Sequence, residues 1–169
     1  MYETNRLQLK HPVFSDWEGM YRNLWCRRES AKYMLWNVTT SAEDAQERMR
    51  RSIAFQAGRP AWFVYEKRSG EPMGFAGFRE IEPGIFEDTG IAIGPAFVGK
   101  GYGKEVLNLL TKIAKTEYGA AKFIASCRSQ NTASRGMILG CGFLYTHQEP
   151  RIDPRDGNPY VLEFYGKEL

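Results

Sequence analysis

The sequence has little of the residue types that build metal sites and disulfide frameworks. Its 169 residues include only three cysteines and two histidines, and no two cysteines have C-x-x-C spacing. An odd cysteine count without that spacing argues against a disulfide framework and a zinc site, so we expect no metal. A reducing, cytoplasmic setting is the simplest interpretation of free thiols. We expect Cys127 and Cys141 to be small, buried hydrophobic residues.

Long apolar runs and a strong charge of one sign are also absent. No run approaches the roughly 18 apolar residues that a membrane span needs, and residues 1–10 lack the pattern of a secretory signal. Lysine and arginine number 23 against 20 acidic residues, a net charge of +3. That charge is too mild to indicate nucleic acid, and it suits a small anionic ligand equally well. We expect no membrane or nucleic-acid partner, and a homodimer is compatible with the sequence.

The composition is that of a globular protein, with 43% hydrophobic and 14% aromatic residues. The length suits one domain, which we place at residues 5–169. The predicted order is a strand, two helices, three strands, a helix, a strand, a helix and two strands, with early hairpins and a later βαβ unit. This order predicts an α/β fold with a mixed, largely antiparallel central sheet flanked by helices. The predicted strands cover 6–10, 61–65, 73–81, 85–93, 122–127, 143–149 and 160–165.

A glycine-rich stretch between a predicted strand and a predicted helix carries the strongest functional signal. It reads Gly99-Lys100-Gly101-Tyr102-Gly103. The first turn of a helix leaves backbone N–H groups unpaired and carries partial positive charge. Glycines let a ligand approach the backbone closely, and Lys100 and Lys104 add positive charge. The stretch therefore indicates a site for phosphate or pyrophosphate.

Two common phosphate-binding motifs do not fit this stretch. Gly94-x-x-x-x-Gly99-Lys100 matches most of a P-loop, but Gly101 stands where a serine or threonine should hold Mg²⁺. The dinucleotide pattern G-x-G-x-x-G fails at Lys104, its third glycine position. A P-loop-like nucleotide binder and a helix entry that binds nothing remain as alternatives.

Two blocks in the correct order resemble the GNAT N-acetyltransferase superfamily. Val98–Gly103 is similar to its acetyl-CoA pyrophosphate loop, [QR]-x-x-G-x-[GA], although Val98 departs from the first letter. Asn131-x-x-Ser134 followed by Gly142-Phe143 resembles a second segment of the superfamily. The serine form of that segment and the opening Arg6-Leu7-x-Leu9 resemble the RimJ/RimL branch. The resemblance implies a GNAT-like acyl-CoA N-acyltransferase fold, with acetyl-CoA as co-substrate.

The resemblance also implies which residues bind acetyl-CoA. The strand around Ile91 and Ile93 would pair with the pantetheine arm, and one of its N–H groups would polarise the thioester carbonyl. Asn131 would bind the pantetheine and Ser134 would lie near it, although Asn131 also suits a helix N-cap and Ser134 a bond back to its own helix. Backbone amides would hold the pyrophosphate along Val98, Gly99, Lys100, Gly101, Tyr102, Gly103 and Lys104.

The implied reaction is transfer of an acetyl group to a primary amine of a protein N-terminus or a small molecule, by direct attack in a ternary complex. A protonated amine needs a base. Asp88 is our first candidate, followed by Glu87 and Glu80, although Asp88 also suits an exposed strand edge. Many superfamily members carry a tyrosine as general acid where this chain has Ile138, so no acid is assigned. A catalytically degenerate module that senses acyl-CoA is the alternative.

The acceptor side has weaker signals. Arg48, Arg50 and Arg51, with Arg27 and Arg28, could meet an acidic acceptor or RNA. A solvated helix face is the interpretation that we favour for them, because arginine side chains are mostly exposed. The loop over 29–39 and its aromatic neighbours are where we expect acceptor specificity.

Overall fold

The computed structural model describes residues 1–169, which form eight strands and five α-helices. No helix combines the length and the apolarity that crossing a membrane requires. The helices are α1 (Trp17–Met20), α2 (Arg28–Ala31), α3 (Ala42–Gln56), α4 (Tyr102–Tyr118) and α5 (Thr132–Leu139). The strands are β1 (Tyr2–Glu3), β2 (Leu7–Lys10), β3 (Ala61–Glu66), β4 (Pro72–Glu82), β5 (Ile85–Ile93), β6 (Lys122–Arg128), β7 (Leu144–Ile152) and β8 (Pro159–Glu168).

All eight strands belong to one sheet, in the order β1-β2-β3-β4-β5-β6-β8-β7. Neighbouring strands are antiparallel, with one exception: β5 and β6 are parallel and are connected through α4. The predicted α/β class, the largely antiparallel sheet and the βαβ unit are therefore confirmed.

Strand β3 lies at the centre of the packing. Trp62 and Val64 face the larger apolar cluster, which includes α4. Phe63 and Tyr65 face a second cluster, which includes residues of α1 and α3. Successive side chains of a strand point to opposite faces, so this continuous apolar run is buried on both faces of the sheet.

The two helices predicted between the first strand and the next three differ in regularity. The second is α3, and Ser41 is its N-cap, since the Ser41 hydroxyl accepts the Asp44 N–H at 3.1 Å. The first is broken into a 3₁₀ turn at Phe14–Asp16, α1 and a π-helical segment at Tyr21–Trp25. Met20 and Leu24 are buried and Trp17 and Tyr21 are partly buried, although the π segment changes the helical period.

Candidate active site

A β-bulge in β5 creates the central feature of the site. Ala76 pairs with Ile91 and Phe78 pairs with Asp88, so two residues of β5, Thr89 and Gly90, lie opposite one residue of β4. Gly90 has φ of 110°, a conformation that favours glycine. A bulge bends its strand and interrupts the hydrogen-bond ladder. The parallel pairing of β5 with β6 covers only 85–87 and 122–124, and beyond it the two strands are unpaired.

Asp88 lies where the two strands separate. Its Oδ2 accepts the Ser126 N–H at 2.9 Å and its Oδ1 accepts the Gly90 N–H at 2.9 Å. Burial raises the pKa of this carboxyl to about 6, although the two N–H donors oppose the rise, and the neighbouring Glu87 adds to it. The side chain is partly buried between two strands and is not an exposed edge carboxylate. Asp88 therefore connects β5 to β6 where their pairing ends, and its pKa lies close to neutrality.

The other two candidate carboxylates have partners of their own. Glu87 forms an ion pair with Arg79, in which Nε and Oε1 are 2.7 Å apart, and both side chains line the same cleft. Glu80 accepts the Gly84 N–H at 2.9 Å within the β4–β5 turn. Asp88 is thus the carboxylate at the point where the strands part.

The separated strands open into a cleft of about 510 Å³. Of the predicted pantetheine-binding residues, Ile91, Asn131 and Ser134 line this cleft. Ile93 does not line it: this residue pairs with Gly74 and packs against the large core. The cleft is walled by 88–91 from β5, 125–128 from β6, and Asn131, Ser134, Met137 and Ile138 from the α5 region.

Asn131 and Ser134 form the entrance to α5. The Oδ1 of Asn131 accepts the Ser134 N–H at 3.1 Å, so Asn131 is an N-cap, and its Nδ2 donor is left for the cleft. Burial raises the pKa of the Cys127 thiol to about 11, although the neighbouring Ser134 opposes the rise. Cys127 is consequently a neutral thiol at physiological pH. Cys127 and Cys141 are both buried, as predicted.

The glycine-rich loop runs into the N-terminus of α4. Gly99 and Gly101 have φ of 78° and 80°, and Gly101 is the N-cap of the helix. Arg6 braces the loop by donating from Nη1 to the Lys100 carbonyl at 2.9 Å, and its side chain also pairs with Glu105. The loop is therefore held by a residue near the start of the sequence, while the first N–H groups of α4 stay open to an anion.

Side chains from the same loop point in different directions. The Tyr102 hydroxyl donates to Oε1 of Glu66 at 2.6 Å, and the residue is buried in the large core. Val98 is 60% exposed. A Cβ on Gly103 would lie 2.6 Å from the Met137 sulfur, so this glycine permits close packing of α4 on α5. The Lys104 ammonium extends over the end of α5, since a Cβ on Gly140 would collide with it.

A second cavity, of about 630 Å³, lies on the α3 side of the sheet. Arg48 enters it between aromatic rings, 4.3 Å from the Trp36 ring centre and 4.9 Å from that of Trp25. The prediction of a solvated arginine face is thus wrong for Arg48, because tryptophans from another segment cover it. Arg50 and Arg51 are exposed, as predicted. The two cavities share four wall residues, Trp36, Phe55, Phe75 and Thr89.

The segment between the two cavities, Tyr33–Trp36, is held by the β7–β8 turn. Arg155 donates from Nη1 to the carbonyls of Ala31 and Trp36, at 2.8 and 3.2 Å. Arg155 is itself paired with the buried Asp153 at 2.7 Å. Sequence analysis did not predict these Arg155 contacts, because the residues are more than 110 positions apart and no local pattern connects them.

The side chains form no cluster of three or more His, Cys, Asp or Glu residues suited to a metal ion.

Comparison with known proteins identifies the family and the fold of this chain. The family model for the acetyltransferase (GNAT) domain matches residues 6–144. The FsC-acetyl coenzyme A-N(2)-transacetylase of Aspergillus fumigatus is 35% identical over 76 residues, which are 45% of this chain and 32% of the fungal protein. The match therefore spans about a third of that relative.

Solved structures share the whole fold. A GNAT acetyltransferase from Bacillus anthracis has a TM-score of 0.84 at 20% identity, covering 98% of this chain and 96% of that one. RimL, a ribosomal L7/L12 alpha-N-protein acetyltransferase solved with coenzyme A, has a TM-score of 0.80 at 18% identity, covering 98% and 96%. At such identities the likeness is one of fold. The family model covers residues 6–144, which are most of the chain, so this protein belongs to the acetyltransferase (GNAT) family.

Proposed function

We propose that this enzyme acetylates a primary amine, carried by a protein N-terminus or a small molecule, by direct attack on acetyl-CoA in a ternary complex, and that it belongs to the RimJ/RimL-like branch. The observation that carries the proposal is the cleft between β5 and β6, with Asp88 where the strands part and a second cavity sharing its wall. Two adjoining cavities allow the two substrates to be bound at the same time.

The cleft and the loop divide the binding of acetyl-CoA between them. Amides of 98–104 at the start of α4 hold the pyrophosphate. The pantetheine arm enters the cleft beside Ile91, Asn131 and Ser134. Because the bulge frees β5 from its pairing with β6, an N–H of this strand is available to polarise the thioester carbonyl.

Asp88 is the proposed general base. The amine nitrogen forms a bond to the carbonyl carbon, the carbon–sulfur bond breaks, and the amine proton passes to Asp88 and then to solvent. The thiolate of coenzyme A leaves unaided, because an ordinary thiol has a pKa of about 8.5. This accounts for Ile138, 1% exposed, at the position where a general acid is expected.

Direct attack is favoured over a covalent acetyl-enzyme. An acyl-enzyme route needs an activated nucleophile in the cleft. The one thiol that lines the cleft is Cys127, and its pKa of about 11 keeps it protonated. A thiol rather than a thiolate is a poor nucleophile.

The pKa of Asp88 favours an amine of modest basicity. With the carboxyl at about 6, taking a proton from an α-amine of pKa about 7.8 costs roughly 2.5 kcal/mol, against roughly 6 kcal/mol for a lysine-like amine of about 10.4. The α-amine of a polypeptide, or a small amine of similar pKa, is therefore the better acceptor. The acceptor in RimL's own description, an alpha-N-protein, is of this type.

Calorimetric titration with acetyl-CoA, followed by a thiol-release assay over an amine panel, tests the proposal. Lys100→Glu reverses a charge in the loop and should weaken acetyl-CoA binding about tenfold or more. Lys112→Glu, an identical charge change on the exposed side of α4, is the matched control and should bind normally. Equal binding by both variants refutes the loop assignment. Binding without release of coenzyme A from any amine refutes the transfer reaction and leaves a sensor.

A further inference from the structure

The second cavity has the chemistry of an anion site. Resting on the proposed function, we propose that the acceptor carries a carboxylate or phosphate close to its amine and that Arg48 and Arg51 bind this anion in the second cavity. Both arginines line the cavity, and neither forms a salt bridge in the protein.

Arg48 is held in place with donors to spare. Its Nη1 donates to the Thr39 hydroxyl at 3.0 Å, and its Cζ lies 4.9 Å from the Trp25 ring centre and 4.3 Å from that of Trp36. Those contacts fix the guanidinium plane but supply no negative charge. A planar guanidinium fixed in this way presents its remaining N–H groups in a geometry that suits carboxylate and phosphate oxygens.

The positive charge in the cavity is not balanced by the protein. Asp44 is the one carboxylate among the lining residues, against the two arginines. Burial and the neighbouring charge of Arg51 lower the pKa of Arg48 to about 10. Arg48 is partly buried, whereas Arg51 is exposed to solvent. An ionised side chain is seldom withdrawn from water without a partner, so a bound anion is the missing counterpart of Arg48.

Two residues that line the cavity also carry a buried polar atom without a partner. Gln56 is 5% exposed and its Oε1 accepts no hydrogen bond, and the indole Nε1 of Trp36 donates none. Both atoms have almost no accessible surface, so they lie within the cavity wall and the proposal rests on the arginines. The size of the cavity, about 630 Å³, is in the range of small-molecule sites.

The position of the cavity sets where the anion lies relative to the amine. Trp36, Phe55, Phe75 and Thr89 form a wall shared with the cleft. An amine that reaches the thioester past this wall leaves the rest of its molecule in the second cavity. The anion can belong to a small molecule or to an acidic residue following a polypeptide N-terminus, and both present the same chemistry to the arginines.

Matched amine pairs test the inference by thiol release. One arm compares phosphoethanolamine with ethanolamine and β-alanine with propylamine. The other compares a short peptide beginning Ala-Glu with the same peptide beginning Ala-Gln. If the natural acceptor is a small molecule, the anionic amine should have at least tenfold higher kcat/KM than its neutral partner in the first arm. If it is a polypeptide, the Ala-Glu peptide should have that advantage in the second arm. Arg51→Gln and Arg48→Gln should remove most of that preference, whereas Arg50→Gln should retain it, because Arg50 is exposed and paired with Glu47.

Calorimetry on the protein saturated with coenzyme A measures the affinity for the acceptor without any turnover, so it tests the anion site independently of the reaction. Phosphoethanolamine or the Ala-Glu peptide should bind at least tenfold more tightly than its neutral partner, and Arg51→Gln, an exposed change that spares the fold, should abolish the difference. Equal kcat/KM and equal affinity within every pair would overturn the anion site while leaving the acetyltransferase proposal intact. A preference that survives in both Arg48 and Arg51 variants would also overturn it.

Discussion

Replacing Asp88 by asparagine separates its two proposed roles. The substitution removes the negative charge and keeps the shape of the side chain. The proton acceptor is lost, while the remaining amide oxygen can still accept the Ser126 N–H and connect β5 to β6. With a pKa of about 6, the carboxyl is roughly nine-tenths ionised at pH 7 and roughly one-tenth at pH 5. Loss of a general base lowers turnover by about 10²–10⁴-fold.

The dependence of kcat/KM on pH gives the more specific readout. In the wild type Asp88 takes the proton from the protonated amine, so for an α-amine acceptor of pKa about 7.8 log kcat/KM should be nearly level from about pH 6.5 to 7.5. Below about pH 6 it should fall with a slope near 1, because Asp88 must be ionised to accept the proton. In Asp88→Asn the amine must lose its proton to solvent, so log kcat/KM should rise with a slope near 1 over the whole range. A level region that persists in the variant would refute Asp88 as the base.

The same carboxyl makes a prediction for stability with a defined sign. Its folded pKa lies above the ordinary 3.8, so its contribution to the free energy of unfolding is fully present below pH 3.8 and is lost as pH rises through 6. A shift of this size corresponds to about 3 kcal/mol at most. Urea unfolding should therefore show the wild type losing stability relative to Asp88→Asn between pH 4 and 7. A constant difference across that range would mean that the carboxyl is not desolvated.

Two further variants test the surroundings of the site. Asp153→Asn should raise the acceptor KM and leave acetyl-CoA affinity unchanged, whereas the control Arg151→Gln on the same hairpin should change neither. The hydrogen-bonded ion pair with Arg155 holds the Asp153 pKa below 3.8, so the contact of Arg155 with Asp153 should weaken only as pH falls below that value. An unchanged KM in Asp153→Asn would remove Asp153 from any positioning role. Iodoacetamide at pH 8 should label the partly exposed Cys26 well before Cys127, whose pKa is about 11. Acetyl-CoA should lower the labelling rate of Cys127 further, and equal labelling rates for the two cysteines would contradict the burial of Cys127.

The parts of the fold that the sequence predicts are those with local signals. The glycines before α4 and the apolar residues at helical spacing within it identify the loop and the helix from neighbouring residues alone. The N-cap of α5 was also predictable, since asparagine is a favoured cap. The two motif blocks then place the loop and Asn131 in one family without any tertiary information.

The parts that could not be predicted depend on pairing between distant segments. Gly90 inside a strand is a known sign of a bulge, but only the register with β4 shows that the bulge separates β5 from β6. Arg48 was expected in solvent because arginines usually are. Its burial depends on Trp25 and Trp36, which reach α3 through tertiary packing rather than through helical spacing.

The bulge in β5 explains why binding and chemistry are expected at one place. Two residues facing one bend the strand, and the bend ends its pairing with β6, which leaves backbone groups for the pantetheine arm. The same break leaves the Ser126 N–H without a strand partner, and Asp88 binds it at 2.9 Å. The carboxyl is then enclosed between two strands, and this burial raises its pKa towards neutrality. One local irregularity thus opens the cofactor cleft, fixes the proposed base and sets its pKa, so inserting or deleting a residue at Thr89–Gly90 should disable all three together.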